Sequence, residues 1–498
     1  MSNDKKSLSA FSLMMISVAA VLSVRNFPSM ATYGWSSIGW YVLGTILFLL
    51  PMTLVSAELA TGWNKGGGVY SWVREAFGEK AGFIAVFCEW SNNLVWFPTV
   101  LSFIAGTIAY IFSPDLANNG LFMFITMMAV FWLSTIVSLL GSDITSRINN
   151  IGVVLGSLVP SVLLAILGIA YALSDRHVVL PVFSLDATLP GIHLTTVPFV
   201  ASVILMFAGM EMSGFHAMDV KNPHRDYPRA MFGAAVIVFL MSVFGTLAMS
   251  AVIPVKELNL TAGLMQAFES FLKSFGMSWA TPLVAILVAL GGFALLTTWL
   301  IGPILGLNVT AHSGDMPPFT RKLNKRGVPV FMLVFQGIIA TMLSLLYVVL
   351  PSVNQAYWIL SAITVLLLSI TYMLLFAAAI ILRIRQPDVP RAFRIPGGMV
   401  GMWIVAGLGF LSTAFAFIVG LLPPAGMALF PPSAGFHSTV ASFLSGFMHK
   451  KIVSEVTAEM VAALPTAAYI AIMLFGTAVL ALPPLLILKF RKQSWIEK

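Results

Sequence analysis

Apolar residues run through this chain in long blocks separated by short polar stretches, and a helix needs roughly 20 such residues to cross hydrocarbon. About a dozen blocks meet that length by this criterion. They lie near 8–35, 38–62, 80–112, 121–140, 148–174, 197–218, 229–253, 279–311, 328–350, 355–386, 400–422 and 465–489. The first block follows a polar start and resembles a signal peptide. It continues through Pro28 toward Trp35 with no small-residue cleavage site, so it reads as a retained span. Between blocks, 66–78 reads as a short amphipathic segment at the membrane interface. The stretch 222–228 reads as a turn-rich stop that closes the sixth span. The long stretch 423–465 is punctuated by paired prolines, with room for a surface helix.

Composition agrees with the blocks. Of 498 residues, 59% are hydrophobic and 9% charged, against about 25% charged in soluble domains. An ordinary soluble enzyme is excluded, and one membrane domain over 1–498 is expected. Cys88, the single cysteine, reads as a small buried hydrophobe. The 27 Lys and Arg against 19 Asp and Glu give +8, but position explains them without nucleic acid. With an even number of spans, 21 basic residues share the side of the two termini, leaving only Arg176, Lys256, Lys273, Lys450 and Lys451 opposite. Arg25 alone falls inside a span. The positive-inside rule then places both termini in the cytoplasm.

Two spans carry interruptions. The first contains Val24-Arg25-Asn26-Phe27-Pro28-Ser29, where Pro28 cannot donate to the preceding turn and Ser29 suits a helix cap. The sixth contains Phe207-Ala208-Gly209-Met210-Glu211-Met212-Ser213-Gly214, a carboxylate bracketed by glycines. Either alone reads as a kink. Five spans is an odd separation, so the two breaks fall in inverted halves, the pattern that marks a secondary transporter's binding site. Unpaired backbone at membrane depth must line a cavity or be buried in protein, so a substrate cavity is expected between Arg25–Ser29 and Gly209–Ser213.

Intramembrane ionisable groups are costly and usually functional. Arg25 and Glu211 lie one in each break; a mutual ion pair would be a brace or gate, and a free Arg25 would suit a substrate carboxylate. Both readings stand at this point. Glu58 and Glu89 read as braces of the bundle, and His216 as a structural donor. Trp299 and Tyr372 lie near span centres, away from an interfacial aromatic belt. No Walker motif, zinc-spaced set, Gly-x-Ser-x-Gly or dinucleotide fingerprint occurs, so no catalytic residue, metal or cofactor is expected.

Several of these motifs together identify a resemblance: Gly67-Gly68-Val69-Tyr70 with Ala76-Phe77-Gly78, Gly209-Met210-Glu211 leading to Asn222-Pro223 and Asp226-Tyr227-Pro228, Trp299-Leu300-Ile301-Gly302-Pro303, Arg326-Gly327-Val328-Pro329, and Phe393-Arg394-Ile395-Pro396-Gly397-Gly398. The chain resembles the amino acid–polyamine–organocation superfamily over nearly its whole length, and within it the bacterial glutamate:GABA antiporters. The resemblance implies an all-α, LeuT-like fold in the bacterial inner membrane. It has two five-helix inverted repeats (8–174 and 197–386), discontinuous first and sixth helices, and two additional helices (400–422 and 465–489). It implies exchange of amino acids or their decarboxylation products by alternating access. Arg25, Asn26, Ser29, Gly209, Met210, Glu211, Ser213, Trp299 and Tyr372 would meet the substrate. Glu211 would also gate, and His216 matches the glutamate:GABA pattern as a gating or proton-linked residue.

The departures from that pattern are specific. Arg25 stands where the exchangers carry an aromatic residue, Leu295 where they carry a glutamate, and Leu368 where they carry a tyrosine. Gly156 falls where some proton-coupled relatives place a lysine, and no long plugging C-terminal tail is expected after Lys498. Arg25 is expected to bias the substrate toward an acidic one. A proton-coupled symporter is the alternative, and a channel the alternative of another class, although no ring of like charges or filter repeat is visible. Small-molecule substrate and lipid are the expected partners.

Overall fold

The computed structural model describes residues 9–63, 68–141, 148, 151–152, 154–174, 176–190, 201–211, 223–350, 352–423, 467–492 and 495. Among the described residues there is no strand. Among the described residues ten helices are long and apolar enough to cross a bilayer, and they correspond to every expected block except the first and the sixth. Those two are the interrupted ones. The stretch after Pro423 lies outside the described residues, as do Ser213 and His216.

The first block divides into α1 (Ala10–Val21) and α2 (Phe27–Ala31), joined by extended Leu22 and Ser23 and a 3₁₀ turn at Val24–Asn26. The chain therefore breaks upstream of Pro28, which sits in the first turn of α2, where a missing N–H costs nothing. The next span is built from α3 (Ser37–Gly44) and α4 (Leu50–Gly62), with one π-helical turn between them. Pro51 leaves the Leu47 carbonyl without its helical donor. Ser412 supplies one from another helix at 2.8 Å, as backbone inside a membrane requires.

After α5 (Val69–Phe77) come α6 (Glu79–Phe112), α7 (Gly120–Leu139) and α8 (Val159–Ala172). Then follow α9 (Ala201–Phe207), α10 (Pro223–Val252) and α11 (Gly263–Ser274). The remaining helices are α12 (Thr281–His312), α13 (Val330–Ser344), α14 (Val353–Arg385), α15 (Gly398–Gly420) and α16 (Ala467–Lys489). Helix α6 is the axis of the bundle: 89% of its most apolar window is buried, against 17% for α16. It packs along α12 and α14, and α15 covers α14 from outside.

Two expectations for polar stretches are corrected. Residues 223–228 begin α10 rather than forming turns, because Pro223 occupies the first helical position. The segment 66–78 does hold the amphipathic helix α5, but α5 packs on α6 and α14 with Tyr70, Trp72 and Val73 buried, so protein rather than lipid covers its apolar face. A further amphipathic helix, α11, went unread in the sequence. Its Leu264, Met265, Phe268, Phe271 and Leu272 fall on one side and are buried, and Gly263 backs directly onto Pro28 of α2.

One end of the bundle is held by charge. Glu58, fully buried in α4, accepts from Arg383 of α14 at 2.5 Å, from Arg391 at 2.6 Å and from the Ile395 N–H at 2.8 Å. Arg383 also donates to the Ile395 and Gly398 carbonyls. At the same end, Arg491 reaches Glu79 at 3.5 Å and Asp315 at 3.1 Å.

Candidate functional site

Three long helices each bring their central turns to one cavity. Helix α6 contributes Glu89, Asn92, Asn93 and Trp96; α12 contributes Leu295 and Trp299; α14 contributes Leu368 and Tyr372. The two breaks close it, with Val21 to Ser23, Arg25 and Asn26 on one side and Ala208, Gly209 and Glu211 on the other. The atom-free space, its mouth included, is about 620 Å³. The cavity thus lies between the interrupted spans, against the middle turns of α12 and α14.

Arg25 enters from the 3₁₀ turn and is 2% exposed. One terminal nitrogen donates to the Thr99 hydroxyl, which itself donates to the Trp96 carbonyl at 2.7 Å. The guanidinium lies 5.5 Å from the Trp96 ring centre and 6.0 Å from that of Tyr357. Aromatic faces attract a desolvated cation by about 2 kcal/mol, but they leave its charge uncompensated. The Nε of Arg25 and the Nδ2 of Asn26 have no acceptor.

Glu211 is satisfied elsewhere. Its Oε1 accepts from the Tyr372 hydroxyl at 3.0 Å and its Oε2 from the Gly209 N–H at 3.2 Å. Gly209 has φ of +113°, a backbone conformation that disfavours any side chain and folds the chain back after α9. That turn curls the carboxylate onto its own break. The mutual Arg25–Glu211 ion pair weighed from the sequence does not form: each residue is held by groups on its own side of the cavity. The brace reading of Arg25 loses its partner with it.

Trp299 lies 5.6 Å from Trp96, ring centre to ring centre, tilted by 53°. Tyr372 is buried behind Glu211. Ser29 and Met210, expected at the site, are buried but not on the cavity wall; Ser29 uses its carbonyl to accept from Thr32. Leu295 and Leu368 do line the wall, so both departures from the antiporter pattern make the cavity less polar. Gly156 has no room for a lysine: a Cβ there would fall 2.2 Å from the Gly291 backbone.

Sequence reasoning missed the contribution of α6. Its signal was present, since Glu89, Asn92, Asn93 and Trp96 are spaced i, i+3, i+4 and i+7 and so share one helix face. Glu89 had been read as a brace. It is partly exposed to the cavity, and among the described residues none donates to its carboxylate. The corresponding reading of Glu58 matches its ion pairs with Arg383 and Arg391.

The chain is similar to known transporters along most of its length. The amino acid permease family model matches residues 8–443. An uncharacterised transporter of Legionella pneumophila is 40% identical over 85% of this chain and 91% of its own length. Glutamate/gamma-aminobutyrate antiporters from two Lactococcus lactis strains are 32% and 33% identical, each over 85% of this chain and 86% of their own length. A multi-pass bundle, a cavity between interrupted spans and a family match over most of its length lead to one conclusion: the chain belongs to the amino acid permease family, as a membrane transporter and not an enzyme.

Proposed function

We propose that this transporter exchanges amino acids or their decarboxylation products by alternating access, and that its cavity favours substrates with a carboxylate. The observation that carries the reading is the pair of unsatisfied donors on the cavity wall, Arg25 Nε and Asn26 Nδ2. A buried guanidinium without a carboxylate is costly, and a substrate carboxylate would supply the missing acceptor in bidentate geometry. Glu211, already bonded to Tyr372 and Gly209, does not compete for it. Trp299 and Trp96 would close over the bound molecule and exclude water. The resemblance to glutamate/gamma-aminobutyrate antiporters supports an acidic substrate on one limb of the exchange.

The same reading takes the chain as one domain of two inverted five-helix repeats plus α15 and α16, interrupted in the first and sixth spans. The charge bias along the loops puts both termini, Glu58 and its arginines on the cytoplasmic side of a bacterial inner membrane. Ser213 and His216 would complete the sixth-span break.

Counterflow tests it. Purified protein in liposomes preloaded with each amino acid or its decarboxylation product should accumulate labelled glutamate or γ-aminobutyrate only against a loaded counter-substrate. Equal uptake into empty liposomes would replace exchange with symport or channel behaviour.

A further inference from the structure

Among the described residues one basic and two acidic side chains line the cavity, and two of these three are held by the protein. Arg25 donates to Thr99 and lies against Trp96. Glu211 accepts from Tyr372 and Gly209. Glu89 is different. At about 3.6 residues per turn, it sits just under three turns into α6, on the face that carries Asn92, Asn93 and Trp96, and none of the described residues donates to its carboxylate. Its backbone carbonyl accepts from the Asn93 side chain at 2.8 Å. Helix α13, which also packs on α6, carries no ionisable residue. The Glu211 carboxylate acts on Glu89 as a like charge and repels it.

A carboxylate at membrane depth without a cation partner is as costly as an arginine without an anion. The described residues supply no cation for it, so it is neutralised either by a proton or by a positive group in the cavity, and a bound ammonium would take the proton's place. A cavity with an arginine that lacks an anion at one wall and a carboxylate that lacks a cation at another is matched by a molecule with the opposite charges at its two ends.

We propose that Glu89 is the ammonium-recognising residue of this transporter, so that the cavity selects amino carboxylates bound with the carboxylate toward Arg25 and the ammonium toward Glu89. This rests on the reading of the cavity as the substrate site. The class includes both α-amino diacids and ω-amino acids, since each offers a carboxylate and an ammonium separated by a few carbons. Dicarboxylates and simple fatty acids, which lack the ammonium, satisfy Arg25 and leave Glu89 bare. Diamines satisfy Glu89 and leave Arg25 bare.

The test uses matched pairs that differ only by the amine: glutamate against glutarate, and γ-aminobutyrate against butyrate, as inhibitors of labelled glutamate counterflow by the full-length protein in liposomes. Wild-type protein should prefer each amine-bearing member by roughly ten- to hundredfold, the range of one charged hydrogen bond. Glu89→Gln, which keeps the shape and removes the charge, should bring both ratios close to one while leaving or improving inhibition by glutarate. Glu89→Asp should retain most of the preference and stands in if the glutamine variant fails to fold. Ratios unchanged in Glu89→Gln, or lost equally in Glu89→Asp, overturn the assignment. Arg25→Gln separates this from failure of the underlying reading. If Arg25→Gln weakens every carboxylate probe while Glu89→Gln keeps the amine preference, the cavity is the site and Glu89 is not its ammonium partner. If neither variant changes inhibition by any probe, the cavity is not the substrate site and both proposals fall.

Discussion

The phenolic hydroxyl of Tyr372, in the middle of α14, donates to Glu211 Oε1 at 3.0 Å and so ties the sixth-span break to a helix that is itself unbroken. Glu211 also accepts from the Gly209 N–H at 3.2 Å. Tyr372→Phe removes the bond and keeps the ring, which packs 5.4 Å from Phe48. Interhelical side-chain bonds in membranes contribute about 0.6 kcal/mol on average, so the variant should fold and melt nearly as the wild type does. Its exchange rate should fall severalfold, because the carboxylate is no longer held against its break. Unaltered exchange in reconstituted Tyr372→Phe would detach this bond from the transport cycle.

Arg25 and Glu211 line one cavity without pairing, and this makes a charge-swap argument decisive. Were they a brace, neutralising either would strand the other, and neutralising both would restore folding. Since each has separate partners, the effects of Arg25→Gln and Glu211→Gln should add within about 0.5 kcal/mol, as independent sites do. Arg25→Gln should impair acidic substrates most, and the double variant should not recover them. Thermal unfolding and glutamate uptake across the four proteins check this, and recovery in the double variant would restore the brace.

Much of this was legible in the residues, for physical reasons that differ by element. Continuous apolar runs of fixed length announce spans because hydrocarbon tolerates little else, and both helix interruptions were visible because Pro28 and Gly209 leave backbone unsatisfied. The location of the first break was not: the chain is extended at Leu22 and Ser23, which carry no breaker and lie upstream of Pro28. The partners of Arg25 were also hidden. Thr99, Trp96 and Tyr357 lie more than 70 and more than 300 residues away along the chain, and only tertiary packing chooses them over Glu211. The polar face of α6 was readable, yet a search for interrupted spans passes over an unbroken helix.

Glu58 offers a stability prediction of larger size. Among the described residues it alone compensates Arg383 and Arg391, which are 9% and 0% exposed. Glu58→Gln would leave two buried cations facing a neutral amide, and breaking a buried pair costs about 3–5 kcal/mol. The variant should lose several degrees in melting temperature in detergent and yield less folded protein. Glu58→Asp, one methylene shorter, should fall between the two. A wild-type melting temperature in Glu58→Gln would mean that the carbonyls of Ile395 and Gly398, with that of Gln386, satisfy the arginines unaided.

Asp315 gives the pH dependence. It lies beyond the end of α12, fully buried, and burial pushes its carboxyl up to about 6 from the ordinary 3.8, with Arg491 pulling it back down and Glu79 pushing it further up. The folded protein therefore holds a proton on Asp315 across a window in which the unfolded chain has released it. Stability is greatest below the unfolded value and declines as pH rises through that window, then levels off above about 6. Asp315→Asn keeps the shape without the titration. Wild-type protein in detergent should therefore lose melting temperature relative to Asp315→Asn between about pH 4 and about pH 6, with parallel curves above. Arg491→Ala should extend the decline to higher pH, because the charge that favours the ionised form is gone. The Arg491 contact is 3.1 Å long and the arginine is a quarter exposed, so solvent screens it and the extension should be smaller than the decline itself. A wild-type curve parallel to that of Asp315→Asn throughout would show that Asp315 ionises in the folded protein as it does in water.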